Sequence, residues 1–275
     1  MQRIQNILMC QPLGLIFDID GTLSPIAPTP DEAKLYPGVA SLLEEARTYA
    51  HVAIVTGRAI EDAASMVNIE GITYIGTHGV EWCEGLPSTH PVQVNAEVLP
   101  CIKPGQQLLD LAEQTLAGWP GVIIERKRLG GSLHYRLAPN AEEVRQVILE
   151  TLREPAHEQH FLLSQGKQVI DIKPALHIHK GQALKSLVQR YSLKGVIFAG
   201  DDRTDLDAML EIEHLRQEGL QAAAIAVQAA DTLPELLEHA DIVVQGVAGM
   251  VRLLHDMLEQ LRTSAGETRF FPMHG

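Results

Sequence analysis

Acidic residues gather where short apolar runs end. Leu13-Gly-Leu-Ile-Phe17 leads straight into Asp18-Ile-Asp20-Gly21-Thr22, and Gly195-Val-Ile-Phe-Ala199 leads into Gly200-Asp201-Asp202 and then Asp205. In an extended segment, residues two apart point the same way, so Asp18 and Asp20 are expected to face one small volume. Gly21 permits a sharp turn behind them. Adjacent carboxylates repel unless a proton or a cation lies between them, and Asp201 adds hard oxygen of the kind Mg²⁺ takes. A third apolar run, His51-Val-Ala-Ile-Val55, ends at Thr56-Gly57-Arg58, which offers a hydroxyl and backbone N–H groups to an anion. Lys180-Gly181, just ahead of a helix, offers a fixed positive charge. Taken singly, these are a capped loop, a helix N-cap and a solvated lysine. In this order, each at a strand or helix end, they point to one site that holds both a cation and an anion.

The elements that position them alternate along the chain. Apolar runs and amphipathic stretches follow one another, which predicts an α/β protein with a Rossmann-like, doubly wound parallel sheet. Strands are expected at 13–17, 51–55, 72–75, 195–199, 222–227 and 241–244, with helices between them. In open α/β sheets the carboxyl ends of the strands form the ligand-binding edge, and the acidic motifs sit there. Residues 81–173 have a different texture. Val122–Lys127 and Leu133–Leu137 read as a hairpin around Gly130-Gly131, followed by a helix over 141–153 and a strand over 168–172. The expected organisation is a discontinuous core of 1–80 and 174–264, an inserted α+β cap of 81–173 with hinges near Trp82 and Lys173, and a tail of 265–275.

Composition limits the partners. Among 275 residues, 22 Lys+Arg stand against 35 Asp+Glu, a net charge of −13. Such a surface disfavours nucleic acid and anionic membrane as partners. Cys10, Cys83 and Cys101 form neither a metal-spaced pair nor an even disulfide framework. His177 and His179 are two apart, a spacing that fits one strand face, but they lack the companions of a zinc site. The first residues carry neither a cleavage motif nor an uninterrupted apolar run, and no segment reaches the ~20 apolar residues of a membrane span. A cytoplasmic protein is expected; the oligomeric state stays open, with a monomer as the expectation.

The combination of Asp18-x-Asp20-Gly-Thr-Leu, Thr56-Gly-Arg, Lys180-Gly and Gly200-Asp-Asp-x-x-Asp205 resembles the four motifs of the haloacid dehalogenase superfamily of phosphohydrolases. The resemblance covers about Leu13 to Leu261. It implies that Asp18 is the nucleophile that becomes an aspartyl phosphate and that Asp20 is the general acid, then base. It also implies that Asp18, Asp201 and the backbone carbonyl of Asp20 hold Mg²⁺, with Asp202 and Asp205 orienting the ligands. Thr56, Gly57 and Lys180 would bind the phosphoryl oxygens. The insert is similar to a C2-type cap, which closes over small soluble substrates.

Within that group the sequence resembles trehalose-6-phosphate phosphatases. The segments that carry this are Phe17–Ile26, Gly76-Thr-His78-Gly79-Val-Glu81, Glu125-Arg-Lys127, Ser132-Leu-His134-Tyr135-Arg136 and Gly200-Asp-Asp-Arg-Thr204-Asp205. The resemblance implies substrate contacts from His78, Glu81, Glu125, Lys127, Arg136 and Asp171. Asp171-Ile-Lys173-Pro174 departs from the family's usual Glu-x-Arg/Lys-Pro, and His179 stands where Asn or Asp is frequent. These departures leave the phosphatase chemistry intact and leave open another sugar phosphate, such as a sucrose phosphate or mannosyl-3-phosphoglycerate; a mutase and a non-catalytic sensor are the remaining alternatives. No synthase portion is visible, so a stand-alone phosphatase is expected.

Overall fold

The computed structural model describes residues 2–176 and 178–268, and the chain divides into two compact units, Met1–Gln93 with Ile178–Gly275, and Val94–His177. His177 and the Arg269-Phe-Phe-Pro tail lie outside the described residues. The first unit begins α1 (Gln2–Leu8), β1 (Leu13–Phe17), α2 (Val39–Ala46), β2 (His51–Val55), α3 (Ile60–Val67), β3 (Thr73–Gly76) and β4 (Glu81–Cys83). After the short edge strand β5 (Gln93–Val94), the second unit contains α4 (Ile102–Leu116), β6 (Ile123–Lys127), β7 (Gly130–His134), α5 (Ala141–Glu158), β8 (Phe161–Gln165) and β9 (Val169–Pro174). The chain then returns through α6 (Lys180–Arg190), β10 (Gly195–Gly200), α7 (Arg203–Gln217), β11 (Gln221–Gln228), α8 (Pro234–Glu238), β12 (Ile242–Gln245) and α9 (Gly246–Thr268).

The first unit is a sheet of order β12-β11-β10-β1-β2-β3-β4-β5, parallel from β12 to β3 and antiparallel between β3 and β4. Every residue of β1 is buried because helices cover both faces, which is why its sequence is a continuous apolar run rather than an alternating one. Leu15, Phe17, Ile54 and Ile225 point to the face packed with residues of α1, α2, α3 and α9. Ile16, Val55, Phe198 and Ala224 point to the face covered by α6, α7 and α8. The expected α/β class and parallel sheet are present. The register pairs Phe17 with Ile54 on one side and with Ala199 on the other, so the chain leaves β1, β2 and β10 along one edge.

The second unit is an antiparallel sheet of order β6-β7-β9-β8. Its inner face, with Leu133, Ile170 and Ile172, packs on Leu108 and Leu109 of α4 and Ile148 and Leu152 of α5. The opposite face is polar, and Glu125, Ser132 and Asp171 stand side by side on it in adjacent strands.

Three local expectations are corrected. The boundary expected at 81 falls inside the core sheet, because Glu81–Cys83 pairs with Thr73–Gly76. Trp82 and Lys173 lie in β4 and β9 rather than in linkers. Gly130 and Gly131 begin a strand instead of making the turn: a Cβ on either would collide with the carbonyl oxygen of Ile172 or Glu125, so glycine is needed for the close approach of neighbouring backbone. β7 therefore ends at His134, and Arg136 is exposed in the turn beyond it. Among the described residues no helix is long and apolar enough to cross a membrane.

Candidate active site

Asp18 is the first residue past β1, and its N–H donates to the Ala199 carbonyl at 2.9 Å, so the sheet itself fixes its backbone. Lys180 opens α6 and is 2% exposed, yet its amine has two carboxylate acceptors. Its Nζ donates to Asp18 Oδ1 at 2.7 Å and to Asp205 Oδ1 at 2.7 Å. Burial works to lower the Lys180 pKa, but Asp18, Asp205 and Asp202 outweigh it and raise it, so the amine stays charged.

Asp205 is completely buried and has both oxygens committed. Oδ1 accepts from Lys180, while Oδ2 accepts from the N–H groups of Asp201 and Asp202 at 3.0 and 3.1 Å. Asp202 caps α7: its Oδ1 accepts from Thr204 N at 2.8 Å and Asp205 N at 3.2 Å, completing a reciprocal capping box. The cap also turns the Asp201 carboxylate, which accepts from Thr22 Oγ1 at 3.3 Å, toward the β1 loop. Gly21 makes room there. Its φ is +85°, and a Cβ would run into the Asp201 carboxylate.

The carboxylates fit a divalent cation. Asp18, Asp201 and Asp205 offer oxygens that all lie within 4.8 Å of one another. Burial is the largest cause that pushes Asp18 up to about 7, opposed by Lys180 and aided by Asp202 and Asp201. Burial likewise pushes Asp201 up to about 8, aided by Asp205 and Asp202. Burial makes it costly for both groups to be ionised together, a positive charge between them lowers that cost, and an all-oxygen donor set suits a hard cation. Because both oxygens of Asp205 are already bonded, Asp18 and Asp201 are the better placed ligands, with Asp205 holding Lys180 and the Asp201 backbone in place.

Asp20 faces a different partner. Arg58 grips it with two bonds, Nε to Oδ2 at 2.6 Å and Nη2 to Oδ1 at 2.7 Å. Arg58 was not among the expected site residues, although Thr56-Gly57-Arg58 contains it; a basic residue one step past an anion-binding turn was the available signal. Thr56, buried at the end of β2, accepts from Arg58 N on its hydroxyl at 3.2 Å. The His78 ring lies against Gly57, where a Cβ would come 2.6 Å from its Cε1. Glu81 is 1% exposed, and its Oε2 accepts from Ile60 N at 3.2 Å.

In the second unit, Glu125 joins Lys127 at 3.6 Å and His134 at 3.1 Å on the polar sheet face. Burial works to raise its pKa, but the His134 bond and the Lys127 charge prevail and lower it. Ser132 donates to Asp171 Oδ1 at 2.6 Å. Period-2 alternation brings these five groups onto one face, with Ser132 and His134 missing from the expected contacts although both lie in the segment that carried the resemblance.

Comparison with known proteins agrees with this assembly. The mycobacterial trehalose-phosphate phosphatases of Mycobacterium tuberculosis are 33% identical over 207 residues, covering 73% of this chain and 51% of theirs. The chain therefore spans about half the length of these curated relatives. Trehalose-phosphate phosphatase B of Arabidopsis thaliana is 28% identical, with 96% of this chain and 71% of the relative covered. Among solved structures, the C-terminal domain of the Candida albicans trehalose-6-phosphate phosphatase superposes with a TM-score of 0.72 at 20% identity, covering 97% of each chain. A haloacid dehalogenase-like hydrolase from Bacteroides thetaiotaomicron shares the fold with a TM-score of 0.58 at 14% identity, covering 90% of this chain and all of that one. Residues 16–233, which span every motif from Asp18 to Asp205, match the trehalose-phosphatase family, and the chain belongs to that family.

Proposed function

We propose that this protein is a Mg²⁺-dependent phosphatase that hydrolyses trehalose 6-phosphate to trehalose and phosphate through an aspartyl phosphate on Asp18. The observation that carries the reading is the buried Lys180 held between Asp18 and Asp205 at the sheet edge. It is a fixed cation beside a carboxylate nucleophile, in a chain of this family. A carboxylate attacking a phosphate ester must have the charge repulsion cancelled, and a preorganised ammonium does this without reorganisation during the step.

An oxygen of Asp18 attacks phosphorus as the bond from phosphorus to the sugar oxygen breaks. One Asp20 oxygen, released from its Arg58 bond and protonated, delivers the proton that the leaving oxygen takes up, while the other stays on Arg58. In the second half, Asp20 removes a proton from water, whose oxygen attacks phosphorus, and Asp18 is released with inorganic phosphate. Arg58 keeps the Asp20 carboxylate oriented, while Thr56, the Gly57 N–H and Lys180 hold the phosphoryl oxygens. Asp18, Asp201 and the Asp20 carbonyl would hold Mg²⁺, which supplies charge neutralisation at the phosphoryl group. We assign His78, Glu125, Lys127, Arg136 and Asp171 to the sugar. Charged carboxylate and ammonium groups make directional bonds to hydroxyls.

Two results are expected. Lys127→Ala or Glu125→Ala raises KM for trehalose 6-phosphate about tenfold or more, the cost of one or two charge-assisted bonds, and leaves KM for p-nitrophenyl phosphate nearly unchanged. Equal changes on both substrates would remove these residues from the sugar site. The second concerns pH. Because Asp18 and Asp201 are raised from 3.8 to about 7 and about 8, the folded metal-free chain keeps protons that the unfolded chain has lost. Its stability therefore falls as pH rises from about 4 to about 8. Mg²⁺ at 100 times its Kd adds about 2.7 kcal/mol, and its affinity grows as the carboxylates ionise. Thermal melts should show a Tm gain from Mg²⁺ that is larger at pH 8 than at pH 5, and a gain independent of pH would contradict the site.

A further inference from the structure

We propose that Glu81 is a positioning residue that sets the geometry of Asp20 through Arg58. This rests on the reading of Asp20 as the acid and base. The loop that leaves β2, Thr56 to Ala59, carries both the phosphate-binding hydroxyl and the arginine that grips Asp20. That loop opens α3, whose N-cap position is Ala59, a side chain with nothing to accept the unpaired N–H groups of the first turn. Glu81 supplies the missing acceptor from another strand, its Oε2 taking the Ile60 N–H.

The rest of the segment 76–81 bonds to the same loop. Thr77 N donates to Arg58 O at 2.8 Å and His78 N to Thr56 O at 2.9 Å. A Cβ on Gly76 would lie 2.8 Å from Ile60 N and 2.9 Å from Arg58 O, so glycine is what lets the two backbones meet. Thr77, His78 and Gly79 stand consecutively at φ +48°, +58° and +119°. That conformation is unfavourable for a β-branched residue and persists only where its surroundings impose it. β3 and β4 pair Gly76 with Glu81, so the strand register delivers the carboxylate to Ile60. The whole turn thus braces residues 56–60 from behind, and burial of Glu81 follows from that task.

The test compares Glu81→Ala and Glu81→Gln, whose amide oxygen still accepts from Ile60, by kcat and KM on trehalose 6-phosphate and p-nitrophenyl phosphate. Misplacement of a reacting group by about 1 Å costs up to about 100-fold. The expected outcome is a kcat loss of about tenfold to 100-fold for Glu81→Ala, equal on both esters. KM should stay within about twofold, and Glu81→Gln should restore most of kcat. In an Arg58→Ala background the same substitution should cost little further, because coupled residues are not additive. A KM rise confined to the disaccharide ester would make Glu81 a sugar ligand, and full additivity with Arg58→Ala would break the proposed route; either overturns the proposal.

Should Glu81→Ala fail to fold, Glu81→Asp, one methylene short of Ile60, is expected to show the same kcat loss. Amide hydrogen exchange at Ile60 reads the brace without turnover: faster exchange in Glu81→Ala and wild-type exchange in Glu81→Gln are expected, and unchanged exchange in both overturns it. A wild-type protein inactive on both esters would instead defeat the phosphatase reading, and the exchange result would still decide the brace.

Discussion

Asp18→Asn is expected to reduce phosphate release by roughly 10⁴-fold or more, the scale on which loss of a covalent nucleophile acts. The substitution is nearly isosteric. The amide can turn its oxygen toward Lys180, whose other contact, Asp205, is untouched, so the fold should survive. It also removes a negative charge that faces the incoming phosphate, so binding of the ester should persist or tighten. Calorimetric titration of the variant with trehalose 6-phosphate separates the two effects. Retained binding with lost turnover is the expected pair. A variant that releases phosphate at the wild-type rate would mean that another group attacks phosphorus.

Lys180→Ala should do broader damage. The lysine is 2% exposed and bonds two buried carboxylates, so its removal leaves both without a counter-charge and opens a void. Removing one partner of a buried ionic cluster costs about 3–5 kcal/mol. The pH dependence has a definite sign. Without the ammonium, Asp18 and Asp205 rise further above ordinary carboxylate values, so the folded chain holds more protons than the unfolded one across neutral pH. The loss of stability is then small near pH 4 and grows as pH rises toward 8. Lys180→Met keeps most of the volume and should lose activity to a similar extent with a smaller change in Tm. Melts at pH 5 and pH 8, with turnover at pH 7, check all three points. A Lys180→Ala protein with wild-type Tm and kcat would contradict the arrangement.

Much of this was legible because the site lies at strand ends. Buried parallel strands must be apolar throughout, so 13–17 and 51–55 stand out in sequence with the observed bounds, and polar residues that follow them at once are conspicuous. Lys180 was legible as a charge ahead of a helix, though not as a buried one; its two carboxylate partners are 162 and 25 residues away in sequence. Pairings across such separations depend on the strand order, which periodicity does not encode.

Tertiary packing overrode local signals elsewhere. Gly130-Gly131 carries the signature of a turn, yet the neighbouring backbones demanded glycine inside a strand. The bond from Ile60 to Glu81 was not legible, because its donor, a backbone N–H, has no sequence signature at all. Arg58 was visible by type, but its bidentate hold on Asp20 depends on where two loops meet. The polar face of the second unit followed from alternation, whereas the Ser132–Asp171 bond needed the β7–β9 register.

Phosphate release from a panel of sugar phosphates, with Mg²⁺ and with EDTA, tests the central claim most directly. Turnover is expected to require Mg²⁺, to be greatest on trehalose 6-phosphate and to vanish in Asp18→Asn. Turnover that persists in EDTA, or release from no ester in the panel, would contradict it.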